Sequence, residues 1–370
     1  MTNDQLPITN YQSPMSKEFR ELVKKIGSGP HTGENLTREE AAAATRMMLQ
    51  QVATPAQIGA FMIAHRIKRP TGEELAGMLD AYDQLGPKLQ PSSRHDYPVT
   101  VLGIPYDGRS RTAPISPLTA LILTAAGVPV ILHGGDRLPT KYGVPLVEIW
   151  QGLGVDWTHN SLEQAQSVFE TTGLGFVYLP RHFPQAQSIF TYRDEIGKRP
   201  PFATMELIWC PYAGDARLIA GYVHPPTEKM FQDAIAMRGT PLYLTSIKGL
   251  EGSCDLPRDR TAIVGIVKPD AAFERLLLAH GDYGFSSINP PLEPTETLVK
   301  QIESVLQGEP SELMQSALWN GGFYLWHSGV TSDMNSGIAE AKTLLSSGHA
   351  AKKLQEIRDA VASHQAVMSY

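Results

Sequence analysis

The segment VTVLGIPYDGRSRTAPISPLTALILTAAGVPVILHGG, residues 99–135, holds two short apolar runs rich in β-branched residues, VTVLG and VPVILHGG. Between them lie a charged loop and a helix-like stretch over 116–126. The same pattern continues outward from this unit. Further strand-like runs are GFVYLP (175–180), RLIAGYV (217–223), PLYLTSIKG (241–249) and TAIVGIV (261–267), and helix-like stretches cover 143–153, 161–170 and 227–238. Such alternation predicts an α/β domain with a mainly parallel sheet and helices on its faces. Ligands of open α/β sheets bind at the carboxyl ends of the strands. The loops expected to matter are therefore 103–112, 133–143 and 248–255, each directly after a predicted strand and each carrying glycine and charge.

Upstream, three helix starts follow at close intervals. Thr37 precedes Glu40, Thr54 precedes Pro55 and Gln57, and Thr71 precedes Glu74. In each the hydroxyl can accept from a free N–H while the Glu or Gln side chain reaches back, the capping-box arrangement. Pro55 stands at a first helical position, where its missing donor costs nothing. Ile58, Phe61, Met62 and His65 share one helical face. The chain thus divides into a loose arm over 1–16, a small helical domain over 17–90 and an α/β domain over 91–370. The Pro- and Ser-rich GPKLQPSSRHDYP (86–98) marks the linker, and the region from about 295 to 365 reads as helices again.

The 370 residues suffice for a sizeable core. No apolar run reaches the roughly 20 residues a bilayer span needs, and the amino terminus lacks the pattern of a secretory signal. Two cysteines, Cys210 and Cys254, stand far apart, against a zinc site or a disulfide framework and in keeping with a cytoplasmic protein. A net charge of −6 weighs against a surface given over wholly to nucleic acid, though a local basic patch is compatible with it.

Several of these segments resemble a known family. LTREEAAAATRMMLQQVATPAQIGAFMIAHRIKRPTGEELAG (36–77) is similar to the helical domain of anthranilate phosphoribosyltransferases, in the family 3 glycosyltransferases. AAGVPVILHGGDRLPTKYGVPLVEIWQGLGVD (125–156) resembles the segment around that family's HGN motif, YRDEIGKRPPF (192–202) its acceptor-side segment, and KGLEGSCDL (248–256) its late metal-binding segment. Order and spacing agree over about 17–362. The resemblance implies a helical domain hinged to a large α/β domain, an active site in the cleft between them, a homodimer through the helical domain, and phosphoribosyl pyrophosphate with Mg2+ as donor.

Motif by motif, the residues depart from that pattern. Where the family carries the glycine loop GTGGDG, this chain has Gly103, Ile104, Pro105, Tyr106, Asp107 and Gly108. Proline offers no N–H, and Tyr106 adds bulk where a diphosphate would pass. Thr112 and Ser116 match family positions. Arg109 and Arg111 follow in the same loop, and arginine forks bind phosphate without a backbone nest. In HGGDRLPTKYG, His133, Gly134 and Lys141 are kept and the arginine shifts to Arg137. Together these predict a donor or phosphate site made by Gly103, Asp107, Gly108, Arg109, Arg111, Thr112, Ser116, His133, Gly134, Arg137 and Lys141. His133 also reads as a buried strand-end histidine. The family's adjacent Asp-Glu becomes Cys254 and Asp255. Since a thiol is a poor Mg2+ ligand, Glu251 and Asp255 are the pair left to hold the metal. On the acceptor side Arg193 matches the family's carboxylate-recognising arginine and Arg199 a second one, while FATMELIWCPYAG (202–214) replaces the asparagine-bearing segment.

The function expected is binding of a phosphorylated sugar or nucleotide-like anion in the interdomain cleft, with glycosyl transfer, but not authentic anthranilate phosphoribosyltransferase activity. The alternative is a dimeric nucleic-acid-binding protein of the same fold. Arginines converging on a pocket would favour the first, and arginines spread along an exposed stripe the second.

Overall fold

The computed structural model describes residues 14–29, 32–239 and 243–366. Most of the arm read at 1–16 therefore lies outside the described residues. Helices α1 (Pro14–Gly27), α2 (Arg38–Leu49), α3 (Pro55–Lys68) and α4 (Gly72–Leu85) form the helical domain. All three capping boxes are present. Thr37, Thr54 and Thr71 accept from the backbone N–H of Glu40, Gln57 and Glu74, whose side chains accept in return from the capping residues' N–H groups. Ile58, Phe61, Met62 and His65 are the buried face of α3. Helices α2 and α4 approach to backbone contact because Gly77 has no side chain; a Cβ there would lie 2.1 Å from the Arg38 carbonyl oxygen.

The sheet has seven strands, β1 (Val99–Gly103), β2 (Val130–Gly134), β3 (Leu174–Tyr178), β4 (Ala216–Gly221), β5 (Tyr243–Ile247), β6 (Ala262–Val267) and β7 (Glu274–Leu278), in the order β3-β2-β1-β4-β5-β6-β7. The first five run parallel; β6 is antiparallel to β5, and β7 to β6. The sequence reading misses β7, whose ERLLL segment lies at the sheet edge with only Leu278 fully buried and so lacks the apolar signature of an inner strand. Helix α5 (Ser116–Ala125) is the crossover from β1 to β2. It packs with the carboxy-terminal helices 295–306, 312–327, 334–346 and 349–366 over one face of the sheet.

The opposite face is shared with the helical domain in one continuous apolar cluster that includes Phe61, Leu79, Tyr82, Phe183, Trp209 and Leu218. At the domain junction α4 packs against the helix Pro225–Arg238, where a Cβ on Gly72 would meet that of Asp233 at 2.4 Å. Arg38 and Arg238 clamp Asp80 from the two domains at 2.5 and 3.1 Å. This docking sets the carboxyl ends of β1, β2, β4 and β5 facing the far end of α3, with a cleft between.

Gly77→Ala is expected to destabilise the protein by about 2 kcal/mol or more, because the new methyl strikes backbone on both sides and no side chain can move aside. Urea denaturation checks this.

Candidate functional site

The loop after β1 folds back on the loop after β2. Gly108 takes φ +73°, and a Cβ on it would lie 2.5 Å from the Gly143 carbonyl. Arg109 and Val144 then exchange backbone hydrogen bonds at 3.1 and 2.8 Å. This turn presents the N–H groups of Ser110, Arg111 and Thr112 in succession, the kind of concavity that receives an anion. It is filled from within the chain. Glu251, at φ +54° in the loop after β5, is turned so that its carboxylate accepts from those three groups at 3.2, 3.0 and 3.0 Å. The hydroxyls of Ser110 and Thr112 add bonds of 3.1 Å each, and Lys141 approaches to 3.3 Å.

Arg109 is buried, 2 % exposed, beneath this nest. Its Nη1 donates to Asp255 at 2.5 Å and to Ser253 Oγ at 2.8 Å, its Nη2 to the Thr112 hydroxyl, and its Nε faces Glu251 at 3.4 Å. Asp255 also accepts from the Ile115 N–H at 3.1 Å and the Ser116 hydroxyl at 2.8 Å. Burial alone would raise the Glu251 pKa. The guanidinium of Arg109, the N–H groups of Thr112 and Arg111 and the Lys141 ammonium outweigh it and hold the carboxyl well below the ordinary value of 4.5.

Two expectations are corrected here. Arg109 is the internal counter-ion of two buried carboxylates and does not face the cleft. Glu251 and Asp255 do not offer a Mg2+ site, since their oxygens are engaged by donors and a guanidinium already supplies the positive charge between them. The Cys254 thiol turns into the core, donating to the carbonyls of Gly103 and Ile219 at 3.0 and 3.3 Å, and burial pushes its pKa well up. Among the described residues no group of three His, Cys, Asp or Glu side chains is arranged to hold a metal ion.

Other sequence-predicted residues separate in the same way. Gly103 is a packing position, where a Cβ would fall 1.9 Å from the Leu207 carbonyl oxygen. His133 ends β2 within an aromatic cluster, its Nδ1 2.5 Å from the Tyr106 hydroxyl and its ring edge-on to Trp209; burial lowers its pKa to about 3, so it is neutral. The strand-end reading of His133 is the one the structure gives, and neither it nor the adjoining Gly134 lines the cleft. Arg137 is taken up by Glu148 in a two-point pair at 2.6 and 2.7 Å, away from the cleft. Arg193 is 1 % exposed, paired with buried Glu206 and set 4.4 Å from the Phe190 ring centroid, so it cannot reach an acceptor in the cleft.

Four cations do line the cleft. Arg111, Lys141 and Arg199 are joined by Arg66 from the end of α3 around a cavity of about 410 Å³ that Thr204, Tyr222, His224 and Thr227 help to wall. Arg199 lies 3.2 Å from Asp107, and its carbonyl accepts from Nη1 of Arg66. The sequence reading misses Arg66; its signal is the basic run HRIKR at the end of α3, which only the docking of the two domains turns toward the loops.

The comparisons with known proteins agree with this architecture. Residues 20–86 match the model of the helical bundle domain of a glycosyl transferase family, and residues 107–351 match the model of that family's α/β domain. The chain belongs to this glycosyltransferase family. Among its relatives are the anthranilate phosphoribosyltransferases of Rhodopseudomonas palustris strain BisB18, 28 % identical over 92 % of this chain and 97 % of the relative, and of Thermoanaerobacter sp. strain X514, 27 % identical over the same shares. The anthranilate phosphoribosyltransferase of Thermus thermophilus superposes with a TM-score of 0.76 at 22 % identity, covering 92 % of this chain and 99 % of the other. That of Saccharomyces cerevisiae, in complex with PRPP and Mg, does so at 0.80 and 16 % identity, covering 94 % and 98 %. These likenesses establish the fold.

Two outcomes are expected from the buried network. Arg109→Met, which strands Asp255 and Glu251 without their counter-ion, should cost about 3–5 kcal/mol in chemical denaturation. Because the folded-state pKa of Glu251 lies below its unfolded one, its stabilisation is complete above pH 5 and is lost as the pH falls below 4.5. Glu251→Gln should therefore be less stable at pH 7 and show a flatter loss of stability between pH 5 and pH 3, read from denaturation midpoints.

Proposed function

We propose that this protein binds a sugar phosphate of the phosphoribosyl pyrophosphate class in the cleft between its domains and transfers the glycosyl group, using side-chain cations in place of a glycine nest and carboxylate-held metal. The observation that carries this reading is the convergence of Arg66, Arg111, Lys141 and Arg199 on one cavity of about 410 Å³ at the strand ends. Asp107 offsets Arg199 and Glu251 offsets Lys141. Among the described residues Arg66 has no carboxylate within 4 Å, and the largely exposed Arg111 only reaches Glu251 at 3.9 Å. Two positive charges are thus left for a ligand, which suits a pyrophosphate. As the glycosidic bond loosens, negative charge grows on the departing pyrophosphate, and cations fixed beside it lower the barrier.

The acceptor is not anthranilate in this reading, because Arg193 is closed off with Glu206. Convergence on one cleft favours a small anion over the backbone of a nucleic acid, which would be met by a stripe of charge. A homodimer through the helical domain belongs to the same proposal.

Calorimetric titration with phosphoribosyl pyrophosphate tests it. Saturable binding is expected, little changed between Mg2+ and EDTA, and weakened about ten-fold or more by Arg66→Ala or Arg199→Ala, as for loss of a charge-assisted hydrogen bond. Absence of that binding, together with steeply salt-dependent binding of single-stranded DNA, would overturn it in favour of a nucleic-acid binder.

A further inference from the structure

A second cavity, of about 330 Å³, lies at the opposite edge of the sheet from the cleft. The amino ends of β4 and β5 supply Arg217 and Tyr243, the turn from β6 to β7 supplies Lys268, and β7 supplies Leu276. The helix 312–327 closes it with Trp326 and His327.

Arg217 is the unusual member. Its Nη1 donates to the His327 carbonyl at 2.6 Å, and among the described residues no carboxylate lies within 4 Å of it. Other arginines around the sheet are matched. Arg238 pairs with Asp80 and Asp83, Arg258 with Glu312, and Arg275 with Glu228. Burial lowers the Arg217 pKa from its ordinary 12.5, as it does for a guanidinium that gives up water without gaining an anion. Its Nε and Nη2 have no acceptor among the described residues, which leaves a fork for a planar carboxylate.

The surroundings define the rest of the ligand. Lys268 lies 3.5 Å from Glu274, so the two charges offset each other and the cavity keeps the single positive charge of Arg217. His327 adds none: burial, with Arg217 and Lys268 nearby, lowers its pKa to about 4, and its Nε2 is 2.8 Å from the Thr245 hydroxyl. Aromatic and aliphatic side chains stand beside these polar groups. The Arg217 guanidinium stands 5.9 Å from the centroid of the Tyr243 ring, which is 39 % exposed, and Leu276, Ile266 and Trp326 complete the lining. A pocket of this volume that sets the rings of Tyr243 and Trp326 beside one unpaired fork suits a one-ring ligand carrying one negative charge.

We infer that this cavity is a binding site for a small aromatic monocarboxylate, held by Arg217 and packed against Tyr243 and Trp326, remote from the cleft and independent of the donor site.

Tryptophan fluorescence provides the test. Of the five tryptophans, Trp150, Trp157, Trp209 and Trp319 are fully buried, so Trp326 is the one that solvent and a ligand reach. Benzoate is titrated into the full chain, with acetate and benzamide as probes that keep only the charge or only the ring. A saturable change in emission with benzoate is expected, about ten-fold weaker with either control probe and about ten-fold weaker for Arg217→Gln, in line with loss of a charge-assisted pair. Tyr243→Ala should weaken benzoate without changing the acetate response. Thermal unfolding of each variant reports whether it is folded, and Arg217→Lys serves in place of a variant that is not. The inference is overturned if benzoate produces no saturable change, if acetate matches it, or if folded Arg217 variants bind benzoate as the parent does.

Discussion

The contact on which this molecule most depends is the buried guanidinium of Arg109 between Asp255 and Glu251. It joins the loop after β1 to the loop after β5, and through the hydrogen bonds of Arg109 with Val144 it also holds the loop after β2. Removing two carboxylates and a guanidinium from water is costly, and the arrangement is tolerable only because their remaining lone pairs and protons are met. Ser253, Thr112, Ser116 and the N–H groups of residues 110–112 and 115 meet them. Such a network contributes definition more than net stability. Its effect is to fix three strand-end loops in a single arrangement, and with them the floor of the cleft.

That network also decides which charges face outward. A loop that would receive an external anion on its N–H groups receives Glu251 instead, so the cations that face the cleft are side chains on its rim. Arg111 and Lys141 come from the same loops, Arg199 from the segment after residue 197, and Arg66 from the helical domain. The site is therefore shared between domains, and its positive field depends on how the domains dock. The Asp80 clamp by Arg38 and Arg238 and the close contact at Gly72 are what set that docking. Membership of the glycosyltransferase family rests on the two domains that match its models.

Much of the architecture is legible in the sequence. Capping boxes at Thr37, Thr54 and Thr71 are local, since donor and acceptor lie three residues apart, and all three form as read. Strands β1 to β6 announce themselves as short apolar runs because both faces of each are largely buried. The exposed edge strand β7 does not, since little of it is buried. For the site, the sequence draws attention to three loops and to Asp107, Arg111, Lys141 and Arg199, which the structure brings together at the cleft. It assigns Arg109, Arg137 and Arg193 to ligands that the structure replaces with Asp255, Glu148 and Glu206.

The reason for that division is range. By itself the sequence determined the helical bundle, most of the strands and the mostly parallel sense of the sheet, because periodicity, capping and strand composition act between near neighbours. Only the tertiary structure decided which charged side chains are free. An arginine's partner lies 13 residues away for Arg193, but more than 140 for Arg109, and whether such a carboxylate arrives depends on the packing of the whole sheet. A guanidinium with a buried partner is structural and one without is available to a ligand, and no local pattern separates the two.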